Sequence, residues 1–258
     1  MEKFNFKKSL GQNFLTDKNI VNKIVNSIDT KENDLIIEIG PGNGSLTKKL
    51  KEKNCNILCF EIDLRLKEYL KELEDEKTKI IYTDFLKIDL EKIINQKDYN
   101  NIYFVANLPY YITTPIINKI TELKLNIKSL VFMVQKEVGD RFLAKPHSKK
   151  YSSLTVYLNY FYEIKKVVNV GKKCFYPIPN VDSIVLKFNK KERLNKPKNE
   201  ELFFKVVKDS FKLKRKTLKN NLKNYPIENM FKDLKLKETV RAEELSLEDF
   251  IKISDYLS

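Results

Sequence analysis

The sequence predicts an α/β fold, an open and largely parallel sheet covered by helices on both faces, followed by a small all-α domain. Three observations carry this. Between about Asp34 and Lys187 short apolar runs alternate with helix-like segments, the rhythm of a parallel sheet. Residues 200–258 hold helical patterns with no strand signal. Between the two, "NKKERLNKPKN" is polar and reads as a linker, which places the expected boundary between a domain of residues 1–189 and one of residues 190–258.

The elements follow in order. "TDKNIVNKIVNSI" spaces Ile20, Val21, Ile24, Val25 and Ile28 as one face of a leading helix, with Thr16 or Asp17 as its N-cap. Five strand–helix pairs come next: "DLIIEIG" with "SLTKKLKEK", "NILCFEID" with "LRLKEYLKELEDE", "KIIYTDF" with "LEKIINQ", "NIYFVANLPY" with "TPIINKITEL", and "SLVFMVQ" with "KEVGDRFLAK". "EIKKVVNV" and "VDSIVLKF" flank the loop "GKKCFYPIPN" and fit an antiparallel addition at one sheet edge. Past the linker, Phe203, Val207, Phe211, Leu218 and Leu222 form the apolar stripe of one basic helix. Its other face carries Lys205, Lys208, Lys212, Lys214, Arg215, Lys216, Lys219 and Lys223, placed to attract phosphate.

Composition narrows the function. The chain has 258 residues, 49 Lys and Arg against 35 Asp and Glu, and a net charge of +14, which favours an anionic partner such as nucleic acid. Cys55, Cys59 and Cys174 are odd in number, and "NCNILCF" points the first two to one face of a strand as buried, reduced thiols. His147 is the only histidine and no cysteine set has zinc spacing, so neither a metal site nor a histidine-based triad is expected. No apolar run approaches a membrane span and the first residues lack a secretory h-region, so a soluble, cytoplasmic protein is expected.

In an open parallel sheet, ligands bind outside the carboxyl ends of the strands. The first strand ends in "EIGPGNGSL", with Gly40, Gly42 and Gly44; the second ends in "FEID", where Glu61 lies about 20 residues on, suited to ribose hydroxyls. After the third comes Asp84 in "YTDF", an acceptor for an adenine amine. A dinucleotide satisfies the first two features, but "GPGNG" is not G-x-G-x-x-G and Pro41 removes an N–H that a pyrophosphate needs. S-adenosylmethionine carries no phosphate and suits the loop better.

The fourth strand ends in "NLPYYITTP", similar to the N/D-P-P-Y/F motif of methyltransferases that act on exocyclic or amide nitrogens. Such an amine has its lone pair delocalised into a ring and needs positioning. Asn107 Oδ1 and the Leu108 carbonyl can accept from it while Tyr110 stacks on the base, with Tyr111 left to packing.

"LGQNFLTD", "EIGPGNGSLT", "FEID", "NLPYYITTPI", "FMVQKEVGDR", "CFYPIPNVDSIV", "KRKTLKNNL" and "RAEELS" occur in an order that resembles the KsgA-type ribosomal RNA adenine dimethyltransferases, over nearly the whole chain. The resemblance implies a Rossmann-like class I S-adenosylmethionine-dependent methyltransferase sheet. It implies N6,N6-dimethylation of two adjacent adenosines near the 3′ end of small-subunit rRNA, within an immature subunit, by a monomer. It implies cofactor contacts at Asn13, Leu15, Gly40, Glu61, Asp84 and Asn107, and a target-base site of Asn107, Leu108, Tyr110 and Phe175, the last packed on the flipped adenine. Residues 1–189 would then be catalytic and 190–258 RNA-binding, with Lys212, Lys214, Arg215, Lys216 and Lys219 gripping the RNA. Ala106 stands where the family has Gly, and Tyr151-Ser152-Ser153 where an Arg-containing "YGRL" is common. The rival readings are an Erm-type large-subunit methyltransferase, which typically reads "NIPY", and a non-catalytic rRNA-binding factor on the same scaffold. A nicotinamide oxidoreductase is more distant.

Overall fold

The computed structural model describes residues 12–95, 98–109, 112–192 and 195–258. Five strands lie parallel: β2 (Leu35–Ile39), β3 (Asn56–Glu61), β4 (Thr78–Tyr82), β5 (Ile102–Asn107) and β6 (Ile127–Gln135). With β7 (Tyr162–Val170) and β9 (Ser183–Lys190) they form one sheet in the order β4-β3-β2-β5-β6-β9-β7, in which β9 runs antiparallel to β6. The expected parallel sheet with an antiparallel edge is therefore present. Every residue of β2 is buried, as a strand covered on both faces requires.

Alternate side chains serve the two faces. Ile36, Ile57, Cys59, Tyr103, Val105, Val131 and Met133 pack with Ile20, Val21, Ile24, Val25 and Ile28 of α1 (Lys18–Asn26) and the residues after it. Asp17 is the N-cap, its Oδ1 accepting from Asn19 and Ile20 N–H at 2.8 and 3.1 Å. Cys55 and Cys59 lie in this same core as free thiols. Ala106 is buried between Ile39 and Phe132 on the neighbouring strands, where its methyl is accommodated.

A second, two-stranded sheet has no counterpart among the expected elements. β1 (Phe14–Leu15) pairs antiparallel with β8 (Phe175–Tyr176), Phe14 opposite Tyr176 and Leu15 opposite Phe175. Thr16 extends the join, its N–H and Oγ1 both donating to the Cys174 carbonyl at 2.9 and 3.0 Å.

The chain forms two compact units, residues 1–139 with 165–190, and residues 140–164 with 191–258. One switch falls beside the expected 189/190 boundary. Residues 140–164, expected with the sheet, group instead with the C-terminal segment, because Tyr151, Val156 and Tyr160 belong to its core with Phe203, Val207, Leu218, Leu222 and Phe250. This second unit contains α7 (Ser153–Phe161), α8 (Glu200–Ser210), α9 (Leu218–Asn221), α10 (Met230–Asp233) and α11 (Leu247–Tyr256). Ser152 opens α7, its Oγ hydrogen-bonded to Thr155 Oγ1 at 3.2 Å, so the serine at the departure from "YGRL" has a local structural task.

The expected single basic helix is two. α8 stops at Ser210 and α9 begins at Leu218, with turns between them. Four cations at positions 212, 214, 215 and 216 repel one another in a helix, and Thr217 acts as N-cap while Asn221 Oδ1 accepts from Leu213 N–H at 2.9 Å. The apolar stripe survives the break: Phe203, Val207, Leu218 and Leu222 are buried.

Candidate active site

A cavity in the first unit opens at the carboxyl ends of β2, β3, β4 and β5. Asn13, Leu15, Gly40, Glu61, Asp84 and Asn107, the six expected cofactor contacts, all line it. The glycine loop forms its rim. Gly42 takes φ +58°, and a Cβ there would lie 2.9 Å from the Phe14 ring, so glycine is needed for both backbone angle and space. Gly40 takes φ +72° and faces open space, leaving its backbone accessible to a ligand.

Glu61 ends β3 and is buried. Its Oε2 accepts from Gly42 N–H at 3.0 Å and its Oε1 from Asp63 N–H at 2.8 Å. Burial raises its pKa, while these two N–H groups oppose the shift. Each oxygen keeps a lone pair for a hydroxyl donor. Asp84 follows β4 and caps the short 3₁₀ turn at residues 85–87, Oδ1 accepting from Leu86 N–H at 2.9 Å.

Asn107 is the last residue of β5. Its Nδ2 donates to the Asn13 carbonyl at 2.9 Å, and its Oδ1 accepts from no side chain or backbone among the described residues. Leu108 N–H continues the pairing with β6, donating to the Met133 carbonyl at 3.1 Å, and the Leu108 carbonyl likewise accepts from none of the described residues. The amide donor is thus committed and two acceptors are left at the strand end. Tyr110 and Tyr111 lie outside the described residues.

Phe175 departs from expectation. It is 3% exposed, packs in the core on α1's side of the sheet and does not line the cavity. Its neighbour Tyr176, on the opposite face of the two-residue strand, is 60% exposed. A ring held in the core offers no face for a base to stack on.

Several lining residues carry no expectation from sequence. Glu38 in the middle of β2 is buried, accepts from Thr47 Oγ1 at 2.7 Å and from Cys59 Sγ at 3.6 Å, and is pushed by burial to a pKa of about 7. Its signal was a lone acid inside an apolar run. Ile62, 53% exposed beside Glu61, offers an aliphatic platform at the cavity wall. In the second unit, Lys212, Lys214, Arg215, Lys216 and Lys219 are all exposed. Among the described residues no group of acids, cysteines and histidine could hold a metal ion, and no helix is long and apolar enough to cross a membrane.

A family model described as ribosomal RNA adenine dimethylase matches residues 3–258. A ribosomal RNA small subunit methyltransferase A from Clostridium acetobutylicum is 42% identical, covering 99% of this chain and 95% of the relative. One from Bacillus licheniformis is 43% identical, covering 98% and 92%. Among solved structures, a dimethyladenosine transferase from Plasmodium falciparum matches with a TM-score of 0.79 at 27% identity, covering 93% of this chain and 95% of that one. The 23S rRNA methyltransferase ErmE shares the fold, with a TM-score of 0.74 at 23% identity over 95% of this chain and 99% of that one. Sheet, strand-end cavity and full-length matches agree that the chain is an enzyme of the class I methyltransferase fold and belongs to the KsgA-type ribosomal RNA adenine dimethylase family.

Proposed function

We propose that the chain transfers methyl groups from S-adenosylmethionine to N6 of two adjacent adenosines near the 3′ end of small-subunit rRNA. It does so as a cytoplasmic monomer on an immature subunit. The observation that carries this reading is Asn107, whose donor end is tied to the Asn13 carbonyl at 2.9 Å while its acceptor end remains for an amine. The cavity suits the cofactor: Glu61 keeps acceptor capacity for two ribose hydroxyls, Asp84 can take an adenine amine, Ile62 can cover the adenine, and Gly40 leaves room at the rim.

When bound, S-adenosylmethionine supplies an electrophilic methyl on a sulfonium. The protein's part is positioning. Asn107 Oδ1 and the Leu108 carbonyl accept the two N6 hydrogens, which turns the nitrogen lone pair out of the purine plane and toward the methyl carbon. Neither group is a base, and none is required, because the methylated nitrogen is a strong acid that gives its proton to water. Tyr110 would stack on the extruded base. We assign the phosphate grip to Lys212, Lys214, Arg215, Lys216 and Lys219, exposed cations within a chain of net charge +14.

The test supplies methyl-tritiated S-adenosylmethionine with immature small subunits and, separately, large-subunit rRNA, then digests the RNA to nucleosides. Label in N6,N6-dimethyladenosine from the small subunit alone is expected. Transfer only to large-subunit RNA would point to the Erm-type activity instead, and no transfer to either RNA would overturn the proposal.

A further inference from the structure

We infer that Gln12, Asp63 and Arg65 form a positioning relay that sets the orientation of Asn107, an inference that rests on the role given to Asn107 above. Asp63 lies in the turn after β3 and is 4% exposed. Arg65 grips its carboxylate side-on, Nε to Oδ1 at 2.8 Å and Nη2 to Oδ2 at 2.5 Å. Gln12 Nε2 donates to the same Oδ2 at 2.6 Å. A buried carboxylate clamped by a planar guanidinium is a rigid acceptor, so it fixes whatever donates to it.

What it fixes is the peptide carrying the Asn13 carbonyl, the partner of Asn107 Nδ2. That peptide has an anchor on each side: the Gln12 side chain before it, and the pairing of Phe14 and Leu15 with β8 after it. Asp63 also donates its own N–H to Glu61 Oε1 at 2.8 Å. One residue therefore holds both the carboxylate assigned to the ribose and the segment that aims the catalytic amide. Asp63 and Arg65 do not line the cavity, whereas Gln12 does; in the relay all three act through Asn13 and Glu61. A displacement of about 1 Å at a positioning group can cost on the order of a hundredfold in rate, which is why such a relay matters to this chemistry.

Gln12→Glu tests it. The substitution keeps the length of the side chain but sets a second carboxyl against Asp63, which Arg65 holds ionised with a pKa of about 2. Among the described residues, the charged side chains linked to this position are Asp63, directly, and Arg65, through Asp63. At high pH it is ionised and repelled; at lower pH it is protonated and donates as Gln12 does. Relative to wild type, kcat at saturating cofactor should fall about tenfold at pH 8.5 and recover to within about threefold at pH 6, with KM for the subunit unchanged. Gln12→Ala should lose a similar factor at every pH. A readout without turnover is the side-chain amide signal of Asn107 in ¹⁵N-labelled protein, which should move with pH more in Gln12→Glu than in wild type, where Glu38 and Glu61 of the same cavity set the background. Parallel pH profiles with an Asn107 signal that follows wild type would overturn the relay. Should the wild type methylate no small-subunit RNA, the proposed function fails, yet the Asn107 signal still decides the relay.

Discussion

Replacing Asn107 with alanine removes two things of different size. The first is the neutral hydrogen bond from Nδ2 to the Asn13 carbonyl at 2.9 Å. Such a bond contributes about 1 kcal/mol to stability, which for a chain of this length lowers the melting temperature by about 2–4 °C. The same loss loosens the segment that lines the cavity, and cofactor affinity should fall by no more than about tenfold. The second is Oδ1, which the proposed mechanism makes the preorganised acceptor of an N6 hydrogen. Deleting one preorganised hydrogen-bonding group at a reacting centre costs on the order of 10²–10³ in kcat. The two effects separate experimentally: calorimetric titration with S-adenosylhomocysteine measures the first, and single-turnover transfer of tritiated methyl to immature small subunits measures the second. A variant that binds the cofactor product within tenfold of wild type and transfers methyl more than a hundredfold more slowly is expected. Transfer within about threefold of wild type would refute the reasoning, because another group would then be orienting the amine.

Three further outcomes follow from the geometry. Burial pushes the Glu38 carboxyl up to about 7 from the ordinary 4.5, so its contribution to stability is fully present below pH 4.5 and is lost as pH rises through 7. Glu38→Gln, which can still accept from Thr47, should therefore flatten the pH dependence of urea unfolding and be more stable than wild type at pH 8, by up to roughly 3 kcal/mol. If the wild type unfolds at the same urea midpoint at pH 5.5 and pH 8, Glu38 does not titrate in this range. Gly42→Ala places a methyl 2.9 Å from the Phe14 ring at φ +58° and should lose about 1–2 kcal/mol along with cofactor affinity; unchanged S-adenosylhomocysteine binding would count against the close approach. Reversing Lys212, Lys214, Arg215 and Lys216 to glutamate should weaken rRNA binding and flatten its salt dependence, by about one unit of log–log slope per cation removed, with cofactor binding unchanged. An unaltered salt slope would remove these residues from the RNA contact.

The parts of the site readable in the sequence are those set by local chain chemistry. Glu61, Asp84 and Asn107 each follow an apolar run, and a parallel sheet brings strand ends together whatever the sequence distance, so residue type and position sufficed to gather them at one cavity. The pairing of Phe14–Leu15 with Phe175–Tyr176 was not readable. Two-residue strands have no period, and their partners lie some 160 positions apart. That omission explains the misplacement of Phe175: alternation along β8 turns it into the core and Tyr176 outward. The single basic helix failed for another reason. Its apolar spacing is helical on both sides of the break, and only the run of cations with a capping Thr217 marks the interruption. Residues 140–164 likewise carry an ordinary helical pattern that does not say which core it serves.

The role proposed for residue 107 accounts for an amide rather than a carboxylate at the end of β5. In the role proposed for it, the side chain donates to a carbonyl and accepts from an amine at once, and a short uncharged amide holds both functions in one planar group. A carboxylate would face the Asn13 carbonyl with oxygen against oxygen and lose the tether that aims it. Neutrality also suits a reaction performed twice on one nitrogen. In the proposed mechanism the first transfer begins with two N6 hydrogens for two acceptors, Oδ1 and the Leu108 carbonyl; the second begins with one. After the first methylation a single acceptor must hold the amine, so a fixed direction matters more than charge. That direction is what the Asn13 tether supplies, and the bonds from Gln12 and Arg65 to Asp63 extend the same constraint outward from the cavity.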